Sequence, residues 1–389
     1  MSNRVEGLVD KPEDPARIGI VGTGFVADLY MRSLELHPEL HVIGAHDSNA
    51  DRLRRFSTYW KVPQFESLGS LLESSACDLV LNLTNPGSHY EVNRQCLSSG
   101  VNVYSEKPLA TDLSEARGLH ALARERNLLL ASAPCNFLSE SPQIAWRALR
   151  AGLLGQPRLI YAELDDGFIS QAAYQSWRSE SGAPWPYRDE FQVGCTLEHA
   201  GYYLTWLVMM FGSVRRVAAA AACLVPEKGG ESTPNTPDFS VGVLYFDTGV
   251  VARLTCSIVA AHDHRFRVIG DRGVMEVTDC WDNESPVVVK RRVRLRRRLI
   301  DLPIGRRERI RGHTHPKVRR RGAASMNFAL GPAEMMRARR ESRTPRVSAD
   351  MALHINEVTL ALQEAVGGRV IEVQSSCPAI EPMPWARDS

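Results

Sequence analysis

Residues 17–30 read Arg17-Ile-Gly-Ile-Val-Gly22-Thr-Gly24-Phe25-Val26-Ala27-Asp-Leu-Tyr30, a short apolar run that breaks at GxGxxA and continues in helix-forming residues. An apolar strand feeding such a turn and then a helix is the opening unit of a dinucleotide-binding fold. Gly22 permits the tight turn, Gly24 lets the backbone approach a pyrophosphate, and Ala27 allows close packing of helix on strand. The N–H groups that open the helix at Phe25 and Val26 suit phosphate oxygens, helped by the helix dipole. Asp47 follows the next apolar run, Val42-Ile-Gly-Ala45, 23 residues after Gly24. A carboxylate there accepts hydrogen bonds from ribose hydroxyls and repels a 2′-phosphate, so NAD is expected before NADP. Arg52, Arg54 and Arg55 are near enough in sequence to meet a phosphate, which keeps NADP as the less favoured cofactor. The competing role for Asp47 is a helix cap, which Ser48 or Asn49 can also fill.

Outward from this unit, apolar runs at 79–83, 101–104 and 128–131 alternate with amphipathic stretches at 25–35, 51–59, 90–98 and 113–124. That alternation predicts an α/β Rossmann domain, a doubly wound parallel sheet, over residues 17–136, preceded by a polar tail at 1–16. Beyond it a helix at 142–151 and a strand at 158–164 are followed by a helix near 197–210. Strands then come in succession at 216–224, 240–246, 250–259, 266–269, 274–277 and 286–294, and helices at 332–340 and 349–366 close the chain. Successive strands pair antiparallel, so residues 137–389 are expected to form an α+β domain with a large, mostly antiparallel open sheet for substrate binding and oligomerisation.

The 389 residues are 44% hydrophobic, enough for two packed domains. No apolar run reaches the roughly 20 residues of a membrane span, and the start of the chain lacks a signal-peptide core, so a cytoplasmic protein with no membrane partner is expected. The eight cysteines are scattered without a CxxC pair or a zinc-spaced Cys/His cluster, so no metal is expected. The net charge of +2 conceals a basic block: residues 290–321 hold 15 of the 47 Lys and Arg against two acids, leaving 32 cations and 43 acids elsewhere, a net −11. The block reads as a solvated strand and loop, or as a seat for an anionic ligand. Nucleic acid is not expected, because no aromatic residues interleave with the arginines.

The segment Ser105-Glu106-Lys107-Pro108-Leu109, preceded by Thr84-Asn85-Pro-Gly-Ser-His89, resembles the glucose-fructose oxidoreductase, inositol dehydrogenase and MocA family over nearly the whole chain. The resemblance implies that Lys107 is the catalytic lysine, that Glu106 contacts the cofactor, and that Thr84, Asn85 and His89 line the nicotinamide side. Asn136, near the crossover between domains, joins the cofactor residues by the same resemblance. A lysine suits that place because an ammonium stabilises the alkoxide that develops as hydride leaves a carbinol carbon. The family's second catalytic element reads DxGxHxxD on a helix. Here Gly194-Cys-Thr-Leu-Glu-His199-Ala-Gly201-Tyr202-Tyr203 aligns through Gly201, which puts His199 at the aspartate and Tyr203 at the histidine. Some members use a tyrosine as their acid, so Tyr203 is expected to exchange the proton, its pKa drawn down by Lys107. His199, four residues earlier on the same face, is expected to orient substrate, relay a proton or act as base.

Trp177 and Arg178, with Trp185 and Tyr202, offer rings and a cation suited to a sugar or to packing as a cover. The combined expectation is an NAD(H)-dependent oxidoreductase acting on a secondary hydroxyl or ketone of a sugar, cyclitol or sugar nucleotide, as a homodimer or homotetramer. Two alternatives remain open. One is a redox-neutral epimerase, lyase or glycosidase with tightly held NAD; the other is a non-catalytic NAD-binding regulator.

Overall fold

The computed structural model describes residues 14–74, 77–232, 236–364 and 369–387. Residues 1–13 of the expected tail, and 365–366 at the end of the last expected helix, lie outside the described residues. The first sheet is built from β1 (Ala16–Val21), β2 (Leu40–His46), β3 (Leu79–Asn82), β4 (Asn102–Ser105) and β5 (Leu130–Ser132), in the order β2-β1-β3-β4-β5, all parallel. Its connections run through α1 (Phe25–Leu34), α2 (Ala50–Trp60), α3 (Leu68–Glu73), α4 (Pro86–Ser98) and α5 (Leu113–Glu125). Local chemistry sets the helix starts: the Asn49 side chain accepts from the Arg52 N–H, Asp112 accepts from Ser114 and Glu115, and Pro86 occupies the first turn of α4. The strands of the central β3 and β4 are buried throughout, as a sheet covered on both faces requires.

The second unit begins with α6 (Glu140–Arg150), β6 (Pro157–Asp165), α7 (Tyr187–Val193) and α8 (Cys195–Phe211). It continues with β7 (Val214–Ala222), a small hairpin of β8 (Glu227–Lys228) and β9 (Glu231–Ser232), β10 (Phe239–Phe246), β11 (Val251–Ser257), β12 (Phe266–Gly270) and β13 (Gly273–Val277). The remaining elements are β14 (Val287–Leu295), β15 (Arg298–Asp301), β16 (Arg306–Glu308), α9 (Leu330–Arg340), α10 (Ala349–Glu364) and β17 (Val370–Glu372). A ten-stranded sheet runs β15-β14-β13-β12-β6-β11-β10-β7-β17, with β16 also on β14. Its pairs are antiparallel except β6 with β11, which run parallel. Along β10 residues alternate between buried and half-buried, so one face packs on α8 and α10 and the opposite face stays open. On that open face Arg253 and Arg267 lie over the Tyr161 ring.

One helix was not expected, and the basic block takes the solvated strand-and-loop form. Helix α3 is too short to show a periodic pattern and is announced only by its Ser67/Ser70 capping box. The basic block forms the edge ribbon β14–β16 and the loop after it. Arg292 pairs with Asp301 and Lys290 with Glu276 there.

Candidate active site

Parallel sheets bind ligands where neighbouring connections diverge at the carboxyl ends of strands. Here β1 leads to β2 on one side and has β3 on the other. A cleft of about 870 Å³ opens over that point, lined from β1 by Gly24, Phe25 and Val26, from β3 by Thr84 and Asn85, and from β4 by Glu106 and Lys107. Gly22 sits at φ +92°, and a Cβ on it would lie 2.6 Å from the Leu83 carbonyl carbon and oxygen, so the turn admits only glycine. A Cβ on Gly24 would meet nothing within 4 Å, which leaves free room over the first turn of α1. Among the described residues no side chain caps that turn. Open space above uncapped N–H groups fits a pyrophosphate.

Asp47 does not line the cleft; its carboxylate is buried and accepts from the Thr23 N–H and hydroxyl, from the Asn49 N–H, and from Arg52 in a two-point pair. Burial alone would raise its pKa, but Arg52 and the two N–H groups hold it below the ordinary carboxylate range. Arg52 itself reaches the cleft wall. Asn85 donates to Asp189 of α7, and Arg32, Tyr59 and Asp28 hold Glu180 and Ser181. The loop before α7 is thereby pinned across the Rossmann half, with Trp177 and Trp185 facing the cleft, their rings 5.1 Å apart. Arg178 does not join them: its guanidinium donates to the Gln175 and Trp177 carbonyls outside the cleft lining.

Lys107 closes β4 through a cis bond to Pro108, and its ammonium pairs with Glu198 of α8. Burial would lower the lysine, but Glu198 and Glu190 outweigh it and hold it well above its ordinary value, so it stays cationic. Glu198 is pulled down against its burial by Lys107 and by Glu190. Glu190 is pushed well above the ordinary carboxylate range by burial and by Glu198 beside it.

The helix register departs from the sequence alignment by one residue. Tyr202, about 40° round the helix from Glu198, lines the cleft with His199, whereas Tyr203, about 140° round, faces the core. Tyr203 is 0% exposed, stacks on Phe266 and donates its hydroxyl to the His264 carbonyl. Burial raises its pKa, and of the two tyrosines it is Tyr202, not the expected Tyr203, that shares the cleft wall with Lys107. Lys107 does draw Tyr202 down, but burial is the larger effect and leaves that phenol above its ordinary value. His199 is lowered to about 3 by burial and by Lys107, and is therefore neutral.

Two further expected contacts are moved behind the cleft wall. His89 is fully buried, with its ring nitrogens 2.6 Å and 2.8 Å from the Pro108 and Thr84 carbonyls, so it braces the two loops that line the cleft. Asn136 donates to the Tyr202 and Cys280 carbonyls and accepts from Thr205, fixing α8 from the side away from the cleft. Glu106 accepts from the Tyr30 hydroxyl at 2.7 Å and keeps its place on the wall. Sequence reasoning missed Glu198, Glu190, Asp166 and Trp281, all of which line the cleft. Glu198 had one signal, as the single acid of α8 and four residues before Tyr202.

Comparison with known proteins agrees with this architecture. Residues 16–133 match the oxidoreductase family with an NAD-binding Rossmann fold, and residues 143–276 match the GFO/IDH/MocA C-terminal domain. The chain is 36% identical to the putative oxidoreductase YceM of Salmonella typhimurium over 69% of its own length and 78% of that protein. It is 24% identical to the trans-1,2-dihydrobenzene-1,2-diol dehydrogenase of Bos taurus, over 70% of this chain and 77% of that one. In fold it is similar to the WlbA dehydrogenase of Bordetella pertussis, solved with NADH and UDP-GlcNAcA, with a TM-score of 0.70 at 17% identity over 93% of this chain and 99% of that one. Among the described residues no helix is long and apolar enough to cross a membrane.

Proposed function

Because the chain belongs to the GFO/IDH/MocA family of oxidoreductases, we propose that it oxidises or reduces a secondary hydroxyl or ketone on the ring of a sugar, sugar nucleotide or cyclitol, using NAD(H). The observation that carries this reading is the Lys107 ammonium at the carboxyl end of β4, held by Glu198 on the same cleft wall as Tyr202 and His199. Bound in the cleft over Gly24, the nicotinamide cofactor supplies the hydride acceptor or donor. Lys107 polarises the substrate oxygen and stabilises its developing negative charge. Tyr202 takes the proton-exchanging role that the alignment gave to Tyr203, with neutral His199 beside it as acceptor. Glu198 positions the ammonium on the cleft wall that Glu190 also lines.

Trp177 and Trp185 form the platform for the ring, and the bovine relative's name supports a cyclic vicinal diol as the kind of substrate accommodated. A nucleotide-linked sugar draws support from the WlbA structure and from the size of the cleft. It draws none from the basic block, since no residue of 290–321 is among the described residues lining the cleft. NAD(H) is the preferred cofactor and NADP(H) the weaker one, with Asp47 and Arg52 together setting the balance. The open face of the large sheet is the surface through which copies pair as a homodimer or homotetramer. Incubation with a panel of cyclitols, sugars and sugar nucleotides tests the reading: wild type is expected to reduce NAD with one class, and Lys107→Ala to lose that activity while still binding cofactor. Equal activity in Lys107→Ala removes it. The loop pinned across the cofactor cleft favours one second reading, a redox-neutral reaction with a retained cofactor, since it would slow exchange.

A further inference from the structure

At the substrate end of the cleft, Asp166 follows β6 and faces two histidines, His262 and His264, from the loop before β12. Asp166 Oδ1 is 3.8 Å from His262 Nδ1 and 3.8 Å from His264 Nε2, and the three donor atoms lie within 4.8 Å of one another. These separations exceed a hydrogen bond. They come close to the roughly 3.4 Å between neighbouring donors around a four-coordinate ion with bonds of about 2.0–2.1 Å.

The state of His264 carries the argument. Its side chain is 0% exposed, and its Nδ1 faces Asp279 Oδ1 at 3.4 Å. Asp279 is in turn fixed by the Trp281 N–H at 2.8 Å. With the proton on Nδ1, the Nε2 lone pair points at a carboxylate oxygen, acceptor against acceptor. Among the described residues Nε2 has no hydrogen-bond partner. A buried imidazole with one nitrogen oriented by a carboxylate and the other facing a second carboxylate is the arrangement by which an outer acid orients a metal-binding histidine. The backbone holds the two segments together, with Asp165 and Asp263 exchanging N–H···O bonds at 3.0 and 2.8 Å, and the Tyr203 hydroxyl secures the His264 carbonyl.

We propose that Asp166, His262 and His264 bind one divalent transition-metal ion of the imidazole-preferring kind, such as Zn²⁺, with Asp279 orienting His264. Imidazole and carboxylate donors in this ratio suit zinc or cobalt and are poor for magnesium or calcium. Three protein donors leave a coordination position, and Asp166 lies on the cleft wall beside His199, so that position opens toward substrate. The H-x-H spacing is visible in sequence, but its partner acid lies far upstream, so no zinc pattern appears there.

The test is metal retention by the full-length protein, independent of turnover. Apo protein is loaded with Co²⁺ or Zn²⁺, dialysed and measured for metal content, with the visible Co²⁺ spectrum recorded. Wild type is expected to keep about one equivalent and to show a spectrum of low coordination number. His262→Ala, at an exposed side chain that the fold does not need, is expected to lose the retained metal, as is Asp166→Asn. Asp279→Asn is expected to bind about 10–100-fold more weakly. His41→Ala, at an exposed histidine on β2, controls for surface binding and is expected to match wild type. No retention by wild type, or equal retention in His262→Ala and wild type, overturns the site. Because the readout is metal content, its failure leaves the hydride-transfer reading standing.

Discussion

The two adjacent tyrosines of α8 divide stability from chemistry, and a pair of phenylalanine substitutions separates them. Tyr203→Phe keeps the ring stacked on Phe266 at 5.5 Å and edge-on to Trp206 at 5.4 Å, and removes only the hydroxyl that donates to His264. A buried carbonyl left without its donor costs about 1–3 kcal/mol. For a unit of this size that is a fall in Tm of roughly 2–12 °C. The kcat of this variant should stay within a small factor of wild type. Tyr202→Phe makes the opposite change: it withdraws a hydroxyl from the cleft wall beside Lys107 and leaves the core intact. Loss of a positioned proton donor lowers kcat by about 10²–10⁴-fold, with little movement in Tm. Thermal melts and steady-state kinetics on the same preparations read both effects. An inactive, fully stable Tyr203→Phe beside an active Tyr202→Phe would refute the one-residue shift of register.

Other perturbations follow from the same geometry. Asp47→Ala frees Arg52 on the cleft wall. Fluorescence titration should then show the ratio of NADH to NADPH affinity falling by about tenfold or more, because the freed guanidinium gains a 2′-phosphate contact; an unchanged ratio excludes this pair from cofactor choice. Gly22→Ala should abolish cofactor binding, because its Cβ meets the Leu83 backbone at 2.6 Å, whereas normal dinucleotide affinity in that variant would contradict the turn geometry. Glu334, 3% exposed, pairs with Arg343 and Arg346; burial would raise its pKa, but the two guanidinium groups outweigh it and hold it low. A lowered folded value means stability that is present above the unfolded carboxylate range, near pH 4.3, and lost as pH falls through the folded value. Glu334→Gln should cost about 3–5 kcal/mol at pH 7 and flatten the acid side of the urea-denaturation profile; an unaltered acid slope would show that the cluster does not govern it.

The elements most legible in the sequence were those with a strong local period and a chemical stop. The βα unit at Ile18–Ala27 needed only an apolar run, two glycines and a following helix, and the structure places it at the divergence point of the sheet. The strands of the second sheet were readable from alternation, but the parallel pairing of β6 with β11 is a long-range choice that no window of sequence contains. The same limit explains the site. Glu106 and Lys107 adjoin a strand end and reach the cleft as expected, whereas the face of α8 that meets Lys107 depends on helix rotation. Gly201 gave an anchor for alignment but not for that rotation. Glu198, the residue the lysine selects, therefore passed as an ordinary helix acid. His89 and Asn136 carry polar groups near the right loops, yet burial turns both into braces. Asp166, His262 and His264 come together only through the pairing of two backbone segments distant in sequence.

The most direct test of hydride transfer centred on Lys107 is the redox state of the nicotinamide during turnover of the first substrate class found to react. Absorbance of the reduced cofactor should rise in proportion to substrate consumed with wild type, and stay flat with Lys107→Ala at saturating NAD. Product formed by wild type with no net change in the cofactor would contradict a dehydrogenase and leave a transient, returned hydride in its place.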